Sequence, residues 1–459
     1  MIELRPYQTD LIDRTRASLR THRSCLIVSP TGSGKTALTA SMLGTAAERG
    51  RRAWFIVHRR ELVMQTARTF FQVGIPHGIV AAGFRPSPGA LVQICMVQTL
   101  DKRRHKLARP NFIVTDEAHH TAAATWARII GDHSDAYHVG LTATPERLDG
   151  TGLGAWFEDM VQGPSTADLI RDGYLSPYRL FAPSVPDLTA VRSRAGDFAA
   201  EALVDAMDTP SITGDAVMHY LKLAPGKRAI VFCASIAHSL HVRDQFLHVG
   251  VPTVHVDGDS ETTFRDRALA SFAAGDIKVL CNVDLFGEGV DVPGIECVIN
   301  LRPTQSLGLA LQQWGRGLRP KPDGGECIIL DHAGNALRHG LPDDPRTWSL
   351  DGAKRKKNAA AVVVAVRQCP ACYRVMSAYV RVCDCGHVWI PHGREVEERA
   401  GELVEMDPDT VRRSRYWKER SETNKAQTLE DLVALAKGRR YKNPIGWAKA
   451  VFNGRRRRA

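Results

Sequence analysis

"SCLIVSPTGSGKTALTASMLGTAAERG", residues 24–50, passes from an apolar run through a glycine-bearing loop into a segment of helical composition. Cys25–Val28 reads as a buried strand and the residues from Gly34 onward as a helix. Between them, "SPTGSGKT" (29–36) has the strand–loop–helix context that a phosphate-binding loop needs. Gly32 and Gly34 let the backbone turn its N–H groups toward phosphate oxygens, and the new helix adds the positive end of its dipole. Pro30, Thr31 and Ser33 complete the loop. Lys35 is the residue to reach the β- and γ-phosphates of ATP, and Thr36 is the hydroxyl to hold Mg2+. Ser29 stands where the strict pattern has glycine.

Working outward, the same alternation recurs. "RAWFIVH" (52–58), "VQICMV" (92–97), "FIVTDE" (112–117) and "HVGLTAT" (138–144) read as further strands, with helical patterns between them. Residues 215–335 repeat the scheme with "RAIVFCA" (228–234), "TVHVDG" (253–258), "IKVLCNV" (277–283), "ECVINL" (296–301) and "CIILDH" (327–332). Strands alternating with helices predict two α/β units with parallel sheets. The expected organisation is a first domain over 1–165, a connector over 166–214 and a second domain over 215–345. A charged linker over 346–366, a cysteine module over 367–392 and a basic tail over 393–459 follow. A chain of 459 residues has room for two or three such domains.

A hydrophobic fraction of 44% with 24% charged residues suits a globular chain with a proper core. The longest apolar run, "AAAVVVAV" (359–366), is far short of the ~20 residues that cross a bilayer. "MIELRPYQTD" lacks the apolar core of a secretory signal, so a cytoplasmic protein with no membrane partner is expected. Six cysteines (25, 95, 233, 281, 297, 327) sit mostly in apolar runs and read as buried thiols of a reducing compartment.

The carboxylate pair Asp116–Glu117 closes an apolar strand, where two like charges need a reason. A phosphate-binding loop supplies one. Asp116 would hold the Mg2+ shell, and Glu117 would orient and deprotonate the attacking water. The cation makes the paired charges tolerable.

Taken together, these motifs resemble a superfamily 2 DEAD/DEAH-box helicase or translocase, over about residues 1–335. "LRPYQ" (4–8) resembles the adenine-recognising segment of that family, which places Arg5 and Gln8 at the nucleotide. "VHRRELVMQ" (57–65) resembles the motif that touches the nucleic-acid backbone. "LTATP" (141–145), with Thr142 and Thr144, resembles the motif that couples hydrolysis to domain movement, and His119 of "DEAH" joins it. "NVDLFGEGVDVP" (282–293) places Gly289 and Asp291 at the nucleotide or its coupling to the nucleic acid. "QQWGRGLRP" (312–320) supplies Gln312, Gly315, Arg316 and Arg319, the two arginines acting as fingers on γ-phosphate charge. The resemblance implies two tandem RecA-like domains with ATP in the cleft between them.

"CPACYRVMSAYVRVCDCGH" (369–387) gathers Cys369, Cys372, Cys383 and Cys385, a spacing that favours structural Zn2+ over disulfides. The tight CxC of the second half leaves His387 as an alternative fourth ligand in place of Cys383 or Cys385. Net charge is +11, and residues 410–459 alone carry 15 Lys and Arg against 4 Asp and Glu. A localised basic tail points to a polyanion, most commonly nucleic acid. Tyr416, Trp417, Tyr441, Trp447 and Phe452 lie among its cations, and residues 445–452 fit a short amphipathic helix.

A two-domain motor with a zinc ribbon and basic helical tail is similar to the RadD-type bacterial helicases and their phage relatives. That resemblance implies DNA as substrate, and replication or repair proteins as partners of unspecified identity. Two alternatives stand beside the DNA helicase: a nucleotide-switched DNA clamp that does not unwind, and an RNA helicase.

Overall fold

The structure, a computed structural model, describes residues 3–121, 123–147, 150–182, 193–194, 197–198, 207, 210–286, 292, 294–352, 366–389, 421–423, 426, 428–439, 441 and 443–456. Gly289, Asp291, Tyr416 and Trp417 lie outside the described residues.

The first domain is built on seven parallel strands: β1 (Ser24–Val28), β2 (Ala53–Val57), β3 (His77–Val80), β4 (Val92–Met96), β5 (Phe112–Thr115), β6 (Tyr137–Thr142) and β7 (Asp159–Gln162). Their order is β3-β4-β2-β5-β6-β1-β7. β1 and β2 are buried along their whole length, as central strands covered by helices on both faces must be. β6 lies between β5 and β1, so the carboxyl ends of these three strands bring Asp116, Thr142 and the loop at 29–36 to one rim. In open parallel sheets that rim is where ligands bind.

The second domain repeats the plan. β8 (Tyr178–Phe181) and a separate two-residue pair, β9 (Ser193–Arg194) with β10 (Asp197–Phe198), precede β11 (Ala229–Cys233), β12 (Thr253–Val256), β13 (Val279–Asn282), β14 (Cys297–Leu301) and β15 (Cys327–Asp331). Six of these form a wholly parallel sheet in the order β12-β13-β11-β14-β15-β8. Helix Leu307–Gly317 is held to it by fully buried Trp314, whose indole N–H donates to Asn300 Oδ1 at 3.0 Å. Asn300 in turn donates to Gln313 Oε1 at 2.7 Å. A large aromatic with its polar atom satisfied fixes the helix's rotation on the sheet, and that rotation aims Arg316.

Two stretches differ from the sequence expectation. Residues 166–214, expected as a connector, supply helix Thr166–Arg171 and β8, the edge strand of the second sheet. Beyond the second domain, where a linker was expected from 346, the chain straps back onto the first. Trp348 and Leu350 pack with Leu26, Leu153 and Phe157. The Gly154 N–H donates to the Leu350 carbonyl at 2.8 Å. Gly152 permits the approach, since a Cβ there would lie 2.0 Å from that oxygen. The six scattered cysteines are all buried, as their apolar surroundings predict. No helix among the described residues is long and apolar enough to cross a membrane.

The cysteine module adds β16 (Val366–Gln368) and β17 (Val375–Ser377), paired antiparallel. It docks on β8: the Ala182 N–H donates to the Tyr373 carbonyl at 3.0 Å, and Val375 joins the second domain's core beside Leu180. Residues 390–459 form a separate unit. Within it, helices Leu429–Gly438 and Pro444–Arg456 pack around Leu432, Ala436 and Ala448. The Thr428 hydroxyl caps the first by accepting from the Asp431 N–H. The second is the amphipathic helix expected there. Tyr441 and Trp447 meet edge to face at 5.2 Å, so these two rings serve the unit's own packing.

Candidate functional site

The loop at 29–36 needs left-handed backbone at Gly32 (φ 86°) and Gly34 (φ 79°), which is why glycine stands at both. Space is short as well: a Cβ on Gly34 would lie 2.5 Å from Gln8 Nε2. Ser29, the departure from the strict pattern, donates its hydroxyl to Ser33 Oγ at 2.7 Å and so braces the loop from within. Gln8 is buried, and its amide spans the loop's entry. Nε2 donates to the Ser33 carbonyl at 3.0 Å, while Oε1 accepts the Arg5 N–H at 2.9 Å. The Tyr7 hydroxyl donates to the same Ser33 carbonyl at 2.7 Å, a contact that sequence reasoning passed over. Arg5 stacks its guanidinium over the Tyr174 ring at 4.8 Å.

Lys35 opens helix Lys35–Glu48, and its Nζ reaches the Ser29 carbonyl at 3.2 Å. Burial depresses its pKa, opposed by the charges of Glu117 and Asp116. Asp116 is pushed up to about 6, by burial first and by Glu117 second, with Lys35 pulling the other way. Such a site favours arrival of positive charge, because a cation would relieve both carboxylates. Glu117 is a non-glycine residue held at φ 48° and only 5% exposed. Strained backbone of that kind persists only where its surroundings enforce it, and it concentrates at functional sites.

Glu117 is the middle of a chain of polar contacts that no spacing rule foretells. Gln312 Nε2 donates to Glu117 Oε2 at 3.4 Å from the second domain. His119 Nδ1 lies 3.5 Å from that oxygen and 3.3 Å from Thr142 Oγ1. The Thr142 hydroxyl donates to the Thr144 carbonyl at 2.8 Å and accepts the Thr144 N–H at 3.1 Å. Thr142, Thr144, His119 and Gln312 are thus brought into one network that crosses from one domain to the other.

Arg316 and Arg319, from the second domain, line one cavity of about 960 Å³ with Lys35, Thr36, Asp116 and Glu117 from the first. Burial lowers the pKa of Arg319 to about 10, which leaves it cationic at neutral pH. The two domains touch closely here: a Cβ on Gly315 would lie 2.6 Å from Thr31 Cβ. Two further bridges escaped the sequence reading. Arg59 donates across the cleft to the Asp284 and Leu285 carbonyls, at 3.2 and 2.8 Å, and Asp284 has φ 51°. Arg265 pairs with Glu61 at 2.8 Å. Arg59 and Glu61 lie in the quoted segment 57–65, but their partners are more than 200 residues away. Loop N–H groups, an ammonium, two carboxylates and two guanidiniums around one cavity fit a nucleoside triphosphate with a divalent cation.

The four thiols of Cys369, Cys372, Cys383 and Cys385 lie within 4.8 Å of one another. Sγ separations of 3.7 Å (369 to 385) and 3.5 Å (372 to 383) approach the ~3.8 Å edge of a tetrahedron with Zn–S bonds of about 2.3 Å. They are far too long for disulfides. A backbone hydrogen bond from His387 holds Cys385 down at about 7, which favours the ligating thiolate. His387 is not in that cluster, and its ring packs edge to face on Trp389 at 4.9 Å. Both sulfurs of the CxC lie in the cluster. The donor set fits zinc.

Comparison with known proteins bears on the two α/β domains. The family described as type III restriction enzyme, res subunit, matches residues 1–147, and the helicase conserved C-terminal domain matches residues 213–321. A Lactococcus phage (isolate 7-9) protein described only as a 51.5 kDa protein is 35% identical over 79% of this chain and 77% of its own length. A Saccharomyces cerevisiae protein, provisionally named ATP-dependent helicase IRC3, is 31% identical over 72% of this chain, which spans 51% of it. The DNA 3'-5' translocase XPB2 of Sulfurisphaera tokodaii is 24% identical over 72% of this chain and 81% of its own length. Two parallel α/β domains, a phosphate-binding loop facing two arginines across a cleft, and these matches agree: the chain belongs to the superfamily 2 ATP-dependent helicases.

Proposed function

We propose that the chain is a DNA-directed motor of the RadD type, binding ATP between its two α/β domains and moving along or unwinding DNA in replication or repair. The observation that carries the reading is the shared cavity, to which each domain contributes charge of a different kind. Lys35 and the loop N–H groups would bind the β- and γ-phosphates, with Arg5 and Gln8 beside the base. Gln8 would exchange its bonds to Ser33 and Arg5 for bonds to adenine. Thr36 and Asp116 would hold Mg2+, which supplies charge neutralisation at the phosphates. Glu117 would take the proton of the attacking water, held in place by Gln312 and His119. Arg316 and Arg319 would neutralise γ-phosphate charge as it develops. Gly289 and Asp291, by resemblance, would link the nucleotide to the nucleic-acid groove. Domain limits follow the same scheme: a motor over 1–345, a zinc module over 367–392 and a basic tail to 459.

DNA is preferred over RNA on two grounds. The four-cysteine module and the basic tail follow the RadD-type arrangement, and one relative of the motor is named a DNA translocase. ATPase activity titrated with single-stranded DNA, duplex, forked DNA and RNA tests the reading. Stimulation by DNA supports it, whereas stimulation by RNA alone would make the chain an RNA helicase. No stimulation by either would remove the motor.

For the metal, purified protein is expected to carry about one zinc per chain. Changing Cys369 and Cys372 to Ser should remove it while DNA-free ATPase persists, because the cavity residues lie on other elements. Elemental analysis beside an ATPase assay decides this, and folded wild-type protein without zinc would contradict it.

For the tail, deleting residues 410–459 should weaken DNA binding and flatten its salt dependence. The slope of log K against log[salt] should fall by about 0.7–0.9 per lost phosphate contact. DNA-free ATPase should not change. Binding isotherms at several salt concentrations give the slopes, and coincident slopes would mean that the tail does not touch DNA.

A further inference from the structure

The cysteine module ends in a β-hairpin that the nucleotide site does not explain. Val382 and Val388 are bridged antiparallel, and the Trp389 N–H donates to the Arg381 carbonyl at 3.0 Å. The turn is tied by the Cys383 N–H on the His387 carbonyl and the Gly386 N–H on the Cys383 carbonyl, both at 2.8 Å. Two of the four clustered thiols, Cys383 and Cys385, sit in that turn, so whatever holds the cluster also stiffens the hairpin.

The hairpin and the residues leading into it expose apolar side chains where a small module would ordinarily be polar. Tyr379 is 82% exposed, Val382 55% and Val388 54%, with Val380 and Tyr373 also exposed. Five of the fifteen large exposed hydrophobics among the described residues fall in this one segment. Cations are interleaved with them. Arg381 is exposed between Val380 and Val382, and the Arg367 guanidinium lies 4.8 Å from the centre of the Trp389 ring. The one acidic residue of the segment, Asp384, is already paired with Arg374. Exposed apolar and aromatic side chains with arginines close by suit a ligand that is flat, apolar on its faces and polyanionic along its backbone.

The position agrees. The module is attached through Ala182, just past the carboxyl end of β8. All six strands of that sheet are parallel, so this is the same end at which Asp284, after β13, meets Arg59 of the first domain. β8 and β13 are four strand spacings apart, or roughly 19 Å across the sheet. The cysteine module is thus anchored at that rim.

We infer that the exposed surface of this hairpin and of the turn leading into it is a stacking platform for unpaired bases, with Tyr379 as its principal ring and Arg381 and Arg367 near the phosphates. This rests on the nucleic-acid reading above and adds to it a contact made by bases rather than by backbone. Stacking is lost when the partner bases are paired, so the platform distinguishes a single strand from a duplex.

The test uses the full chain without nucleotide, with a fluorescent oligothymidylate, an oligouridylate and a blunt duplex as probes. Tyr379→Ala should weaken single-strand binding about 5- to 160-fold, the range for loss of one stacked base. Tyr379→Phe should bind like wild type, and duplex affinity should be equal in all three proteins. Zinc content and thermal midpoint, measured on the same samples, establish that the module remains folded. A parallel loss on oligouridylate also supports the platform, since stacking is indifferent to the sugar. Wild-type affinity of Tyr379→Ala for both single strands overturns it, as does an equal loss on the duplex. So does a concentration-dependent dimer that Tyr379→Ala dissolves, which would give the face to a second copy of the chain. Wild-type protein that binds none of the probes would instead remove the nucleic-acid reading on which the platform depends.

Discussion

Glu117→Gln is expected to lower ATP turnover by about 10²- to 10⁴-fold, the range for removal of a general base, while nucleotide affinity changes by no more than a few fold. The amide keeps the shape of the side chain and can still meet Gln312 and His119, which lie 3.4 and 3.5 Å from Glu117 Oε2. What it loses is the capacity to take a proton. On the proposed reading phosphate binding rests on other groups, the loop at 29–36 and Lys35, so affinity should survive. Lys35→Ala is the contrast, because removing the buried ammonium should weaken nucleotide binding itself. Steady-state ATPase beside a direct nucleotide-binding titration separates the two effects. Glu117→Gln protein that turns over at the wild-type rate would mean that the base lies elsewhere.

The second large effect is expected at Gly315. Its Cα faces Thr31 across the domain boundary so closely that an added methyl would stand 2.6 Å from Thr31 Cβ and 2.9 Å from Thr31 Cγ2. Both neighbours are anchored near the backbone, one on a helix locked by Trp314 and the other in a loop braced by Ser29. Neither can turn aside cheaply. Overpacking of this kind costs about 1–3 kcal/mol, and here the cost falls on the contact between the two domains. Gly315→Ala should therefore shift the domains toward separation and lower turnover by roughly 10- to 100-fold, with the fold and nucleotide binding by the first domain retained. Circular dichroism, nucleotide affinity and ATPase rate, measured together, check all three parts. Wild-type turnover would mean that the contact between Gly315 and Thr31 is not needed for hydrolysis.

What could be read from the sequence was what is local. The loop at 29–36 is contiguous, its glycines are required by left-handed backbone, and its strand and helix flank it directly. The central strands β1, β2, β11 and β14 are legible for a similar reason: strands buried on both faces are unbroken apolar runs. Three of the four edge strands are not, although the fourth, β12, is legible at 253–258. β3 and β7 are four residues each and only partly buried, and β8 mixes Tyr178 and Arg179 with Leu180 and Phe181, so their composition resembles that of loops. The return of Trp348 and Leu350 to the first domain could not be read at all, since it depends on Gly152, nearly 200 residues earlier.

The candidate site divides in the same way. Lys35, Asp116, Glu117, Arg316 and Arg319 each announce themselves by residue type within a short motif, and the fold gathers them about one cavity. Their mutual arrangement is tertiary. That Gln312 should donate to Glu117, or that Arg59 should reach the Asp284 carbonyl, follows from how two domains meet and leaves no periodic trace. Among the cysteines, spacing identified the four sulfurs but left His387 open as an alternative. The distances gather the four sulfurs without His387, whose ring packs on Trp389 instead.

The central claim is that one ATP site is completed by both domains. Arg316→Ala tests it most directly, with ATP turnover and nucleotide affinity measured on the same protein in saturating single-stranded DNA. Arg316 is buried on the second domain, while the loop, Lys35 and both carboxylates belong to the first. The account predicts that turnover falls about 10³-fold, the scale of a lost arginine finger, while affinity stays within a few fold. Turnover equal to wild type would contradict it, because hydrolysis would then be the work of the first domain alone.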